Sequence, residues 1–262
     1  GTHNVTVDTG LPSVSFNAIS DDNVLNAVEK GQDLRVSGTS ANLAEGTVVA
    51  VTLNGKNYTA TTAADGTWSL TVPAADLAGL GEANYTLSAS ATNGVGNSVS
   101  NTANLLVDTA LPTVTINTVA GDNVINAAEV AAGQTLSGKV ANAEAGNTVT
   151  VTIGGNTYTA TVQSDLTWSV NVPESVLTAL GNGDLTVSAT VTNGHGNTGT
   201  GEREIVIDAS LPGLRVDTVA GDDVINSIEH TQNLIVSGTS DGLAAGTTLT
   251  VTVNLSLIHI SE

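Results

Sequence analysis

No cysteine occurs anywhere in the 262 residues, which removes disulfides, thiolate metal sites and cysteine nucleophiles together. A small secreted domain without disulfides needs another staple, and a bound metal ion is the natural one. Aromatic side chains make up only 2 % of the chain, so a core must be built from Val, Leu, Ile and Ala. Lysine and arginine together number 6 against 25 aspartates and glutamates, a formal charge of −19. That balance argues against nucleic acid or anionic lipid as a partner and makes cations the natural one. No apolar run approaches the ~20 residues needed to span a bilayer, so membrane insertion is not expected.

What is present is a repeat. Asp8, Asp108 and Asp208 recur at a constant interval of about 100 residues, as do Pro12, Pro112 and Pro212; this is domain-sized and well beyond the ~20–50 residues of a solenoid unit. The acidic stretch Gly121 to Glu129 (GDNVINAAE) has counterparts ending at Glu29 and Glu229. The expected organisation is the last strand of a preceding module at 1–8, modules at 9–108 and 109–208, and a third at 209–254 with only three of its strands. Residues 255–262 (LSLIHISE) match nothing in the other modules.

Within module two, Val114 and Ile116 alternate with polar neighbours as a first strand, and a short strand is expected near Gln134 to Lys139. Residues 148–153 alternate without a fault, and Gly154-Gly155 turns the chain back; Asn54-Gly55 does the same in module one and is a strong hairpin signal. Trp168, Val170 and Val172 share one face of a further strand, which makes Trp68 and Trp168 core residues and not a sugar platform. Pro173 to Gly181 reads as a short helical turn. Two more strands flank the loop NGHGN, 193–197. Seven short strands in about 100 residues predict an all-β chain: tandem seven-stranded immunoglobulin-like β-sandwiches in a linear array.

Strand polarity then sets the poles. Loops after the first, third and fifth strands fall at one end of each sandwich, and those after the second, fourth and sixth at the other. The acidic loop of module one should therefore face the linker at Asp108, with the loop Asn193 to Asn197 of module two approaching from the other side. The candidate metal ligands are Asp21, Asp22, Asn23 and Glu29, then Asp122, Asn123 and Glu129, with Asn193 and the linker residues Asp8, Asp108 and Asp208. Hard oxygen donors of this kind suit Ca²⁺, which takes six to eight of them in flexible geometry. Two plainer readings stand beside it. Asn-x-x-Glu is also a capping box, and Asp-Thr-x-x-Pro is also a turn. No nucleophile elbow, phosphate loop or repeated His with Ser and Asp is present, so no enzymatic activity is expected.

At residues 107–129, 157–173 and 187–198 the chain resembles the bacterial Ig-like repeats of giant biofilm-associated adhesins of the BapA and RTX type. The resemblance implies type I secretion, a position outside the cell at the bacterial surface, a rod of many modules and Ca²⁺ that stiffens the junctions. The last loop of such repeats often reads Thr-Asp-x-x-Gly-Asn; here Asn93 and Asn193 stand in place of that Asp. The expected function is a structural spacer for cell adhesion and biofilm formation, whose partners are neighbouring modules of the same chain. The alternative is a glycan- or protein-binding Ig-like module.

Overall fold

The computed structural model describes residues 1–3, 7 and 9–253; Asp8 and the tail 255–262 lie outside the described residues. In the first module the chain runs through β1 (Ser13–Phe16), β2 (Val24–Leu25), β3 (Leu34–Ala41), β4 (Val48–Leu53), β5 (Lys56–Thr61), β6 (Thr67–Val72), the helical turn α1 (Ala74–Leu77), β7 (Ala83–Thr92) and β8 (Ser98–Val107). The second module follows the same order. It contains β9 (Thr113–Ile116), β10 (Val124–Asn126), α2 (Ala127–Ala132), β11 (Gln134–Ala141), β12 (Thr148–Ile153), β13 (Asn156–Thr161), β14 (Thr167–Val172), α3 (Glu174–Leu180), β15 (Gly183–Thr192) and β16 (Thr198–Asp208).

Each module is a sandwich of a three-stranded sheet, β1-β3-β6 or β9-β11-β14, and a five-stranded sheet, β2-β8-β7-β4-β5 or β10-β16-β15-β12-β13. All pairings are antiparallel except that β2 runs parallel to β8 and β10 parallel to β16. The acidic stretch expected as a plain loop thus contains a short extra strand that crosses to the other sheet. Its two or three residues are too few to show a period in the sequence.

Alternation places the core. Val149, Val151 and Ile153 of β12, like Val49 and Val51 of β4, are fully buried, and each such side chain contributes on the order of 1.5–3 kcal/mol. Trp68 and Trp168 are 2 % and 1 % exposed, as their strand pattern requires. Each indole lies across a glycine on the neighbouring strand: Gly38 pairs with Trp68 and Gly138 with Trp168. A Cβ at Gly138 would sit 1.8 Å from the Thr115 carbonyl oxygen and 2.8 Å from Trp168 Cζ2, so the glycine makes room for the ring. The hairpins at Asn54-Gly55 and Gly154-Gly155 have positive φ at both central residues, the backbone that matches strand twist.

Of the third module, β17 (Gly213–Val216) pairs antiparallel with β18 (Gly238–Asp241). The stretch TLTVTV at 248–253, expected as a strand, forms none. Its counterpart β12 is held between β13 and β15, and nothing equivalent follows it among the described residues.

Candidate junction site between repeats

The pole of module one is built by the parallel pairing of β2 with β8. Leu106 N donates to Asn23 O at 2.9 Å and Asp108 N to Leu25 O at 3.2 Å, which brings the chain out beside the end of the acidic stretch. Asn26 then starts a tight turn: its Oδ1 accepts from the N–H groups of Val28 and Glu29, and Glu29 Oε2 accepts from Asn26 N, all at 3.0 Å. This is a capping box. Asn126 and Glu129 form the same box at the start of α2.

The partner is the loop 193–197, which is organised by its own first residue. Asn193 Oδ1 accepts from His195 N at 3.1 Å and from Asn197 N at 3.0 Å, and the backbone closes from Asn193 N to Asn197 O at 2.9 Å. Asn197, only 1 % exposed, then joins the two modules. Its Nδ2 donates to the Asp108 carbonyl at 2.8 Å, and its Oδ1 accepts from Ala27 N at 2.9 Å. His195 Nδ1 lies 2.5 Å from Asp108 Oδ2. Gly196, at φ 81°, approaches Asn26 so closely that an added Cβ would stand 3.0 Å from its Nδ2.

The joint therefore gathers Asn26, Ala27, Asp108, Asn193, His195 and Asn197. The other candidate ligands are placed elsewhere. Asp21 and Asp22 are exposed; Asp22 Oδ1 accepts from Val24 N at 2.8 Å and Asn23 Oδ1 from Ile19 N at 3.0 Å, so both close their own loop. Asp122 and Asn123 repeat those bonds in module two, where Arg203 Nη1 also donates to Asn123 Oδ1 at 3.4 Å. Asp108 Oδ1 and Asp208 Oδ1 each accept an N–H two residues on, from Ala110 and Ser210, both at 3.1 Å, the turn geometry their sequence allows. Asp8 falls outside the described residues. Among the described residues no three His, Cys, Asp or Glu side chains cluster in a way that holds a metal.

Two residues of the joint escape a reading by repeat alone. His195 stands where module one has Val95, so it never recurs. Ala27 takes part only through its backbone N–H. The groups whose titration is displaced lie away from the joint. Tyr58 is pushed up to about 12, first by burial and then by its bond to Asp76, while Asp76 is held below the usual carboxylate range by hydrogen bonds from Lys56 and Tyr58. Asp65 and Asp165 are lowered by the hydroxyl and amide of the threonine two residues on.

The family model described as a bacterial Ig-like domain matches residues 11–109. A solved structure from a 1.5-MDa bacterial ice-binding adhesin, concerned with its retention on the host cell surface, is 31 % identical with a TM-score of 0.51, covering 90 % of this chain and 78 % of that one. The chain belongs to the bacterial Ig-like repeats of large adhesins. These repeats also match a Ca²⁺-stabilised adhesin with which an Antarctic bacterium binds ice, at 35 % identity and a TM-score of 0.54, covering 92 % of this chain and 60 % of that one. A single bacterial immunoglobulin-like domain from the M. primoryensis ice-binding adhesin is 36 % identical over 38 % of this chain and 97 % of its own, with a TM-score of 0.29. No curated protein matches the chain. The repeats thus span about three-fifths of the length of the Antarctic adhesin structure. No helix among the described residues is long and apolar enough to cross a membrane.

Proposed function

We propose that this chain is a non-enzymatic spacer segment of a bacterial surface adhesin, with repeats bounded at 9–108, 109–208 and 209–254, that holds a binding domain away from the cell. The observation that carries the proposal is Asn197, buried at the joint and bonded at once to the linker carbonyl and to the backbone of the preceding module. A bond pair of this kind, closed by a loop that is already ordered, fixes the angle between neighbours at little cost in entropy. The two Trp rings, which a sugar platform would expose, are buried, and this favours the spacer over a glycan-binding module.

Stiffening by Ca²⁺ is part of the proposal, supported by the chemistry of the donors and by the similarity to a Ca²⁺-stabilised adhesin. Asp108 with the side-chain oxygens of Asn26, Asn193 and Asn197 would hold the ion, and Glu29 lies one capping-box bond from Asn26. These are hard oxygen ligands of the kind Ca²⁺ takes, and extracellular modules bind it at on the order of 10⁻⁴ to 10⁻³ M. A bound ion would cancel carboxylate charge at the joint. Asn26, Asn193 and Asn197 now spend their oxygens on backbone N–H groups, so a gain in stiffness has to exceed the loss of those bonds. Export by type I secretion, the cell-surface location and a part in biofilm formation belong to the same proposal, supported by the family resemblance.

Small-angle scattering of the full chain with and without chelator tests the reading. A maximum dimension that shrinks or a profile that softens on chelation supports the calcium part. An unchanged profile removes calcium while leaving the spacer, and a flexible profile under both conditions removes the spacer as well.

A further inference from the structure

Residues 103 and 203 hold the same place in β8 and β16, at the open edge of each sandwich where the last strand passes the first. In module two the residue is Arg203. Its Nε donates to the Ile116 carbonyl at 2.7 Å and its Nη1 to Asn123 Oδ1 at 3.4 Å. In module one the residue is Ala103, and a groove of about 460 Å³ opens there, lined by Phe16, Asn17, Asn23, Asn101, Ala103 and Asn104. The acceptors that hold the guanidinium in module two have direct counterparts in module one. Phe16 pairs with Gly38 as Ile116 pairs with Gly138, and Asn23 Oδ1 closes its loop on Ile19 N as Asn123 Oδ1 does on Val119 N. Among the described residues no side chain donates to the Phe16 carbonyl.

We propose that the groove of module one is a receptor for a guanidinium group, the arginine side chain of a partner polypeptide. The second module displays the occupant: the same backbone carbonyl and the same amide oxygen accept from two nitrogens of one guanidinium. A planar fork of five donors can satisfy both acceptors together, whereas a lysine ammonium is a compact point charge that suits the pair less well. The chain's net charge of −19 raises the local concentration of any cationic partner. The proposal concerns a lateral face of the sandwich and stands apart from the joint at Asp108.

The test is an amide-resolved NMR titration of the full chain with acetyl-arginine-amide, compared with acetyl-citrulline-amide, its uncharged isostere. Saturable shifts confined to Asn17, Asn23 and Asn104 and their neighbours are expected, at least about ten-fold weaker for the citrulline probe, because charge-assisted hydrogen bonds are the stronger kind. Ala103→Arg should fill the groove from within and abolish the response. Arg203→Ala should open a second groove, with new shifts at Asn117 and Asn123. Should Ala103→Arg disturb folding, the second site gained by Arg203→Ala still decides, since misfolding does not create a saturable site. Shifts spread over the acidic surface, an equal response to citrulline, no response at all, or no second site in Arg203→Ala would overturn the proposal.

Discussion

The loop Asn-Gly-x-Gly-Asn occurs at 93–97 and again at 193–197, and the two copies fold alike in different company. In both, the first Asn accepts from the backbone N–H groups two and four residues on, so each loop is ordered by its own bonds before it meets anything. The difference lies in the last residue. Asn197 is buried between Ala27 N and Asp108 O, while Asn97 is half-buried and, among the described residues, its side chain donates to Gly10 O at 3.4 Å. At the centre, His195 reaches Asp108 and Val95 is 60 % exposed. Across the joint Asn26 is half-buried, while its counterpart Asn126 is exposed. The loop is therefore a preformed plug, and contact with a neighbouring pole is what turns it into a joint.

What the two modules share should break first and alike. Gly38→Ala and Gly138→Ala each drive a Cβ to within 1.8 Å of a backbone carbonyl beneath a Trp ring, and each should cost about 3 kcal/mol of its own module's stability, read by chemical denaturation. A cost confined to one module would mean that the two cores are not equivalent. Next comes the contact that differs. Asn197→Ala strands a half-buried N–H and a carbonyl and should weaken the joint by about 1–3 kcal/mol, whereas Asn97→Ala should stay within about 0.5 kcal/mol. Equal effects would show that the loop matters to its own sandwich and not to the neighbour.

A smaller effect is expected at the fifth-strand turn, where Gly66 at φ 81° faces Leu166 at φ 63° in the equivalent place. A leucine in that region is held against its steric preference, so Leu166→Gly should stabilise module two by about 1 kcal/mol in thermal unfolding. The last contrast is one of pH. Lys56 and Tyr58 bond to Asp76 at 2.6 and 2.9 Å in module one; the corresponding residues 156 and 176 are Asn and Val. Folding raises the Tyr58 pKa from 10.0 to about 12, so the stability it gives is complete below pH 10 and lost as pH rises through about 12. Module one should therefore soften over that window, and Tyr58→Phe should remove the effect.

Much of this arrangement is legible in the sequence because it repeats or alternates. The period, the Asn54-Gly55 hairpin, the inward Trp strand and the facing of Asp108 by the loop at 193–197 follow from residue types and strand count. The short parallel strand at Val24–Leu25 does not, since a two-residue pairing leaves no periodic trace. In the sequence Asn197 stands open between a loop residue and a junction ligand, and its bonds to the backbone atoms of Ala27 and Asp108 are not legible there because those atoms carry no side-chain signature. The sequence allows Glu29 and Glu129 to be either ligand or cap, and in the structure their Oε2 atoms close capping boxes. The guanidinium of Arg203 breaks the repeat outright, so its filling of the edge groove becomes visible only when the two sandwiches are compared.

The most direct measurement is a pulsed electron–electron distance distribution between one spin label on module one and one on module two of the full chain. A narrow single distribution that broadens in Asn197→Ala and keeps its width in Asn97→Ala is the predicted result. A broad distribution already present in the wild-type chain, unaltered by Asn197→Ala, would contradict a fixed joint and the spacer role built on it.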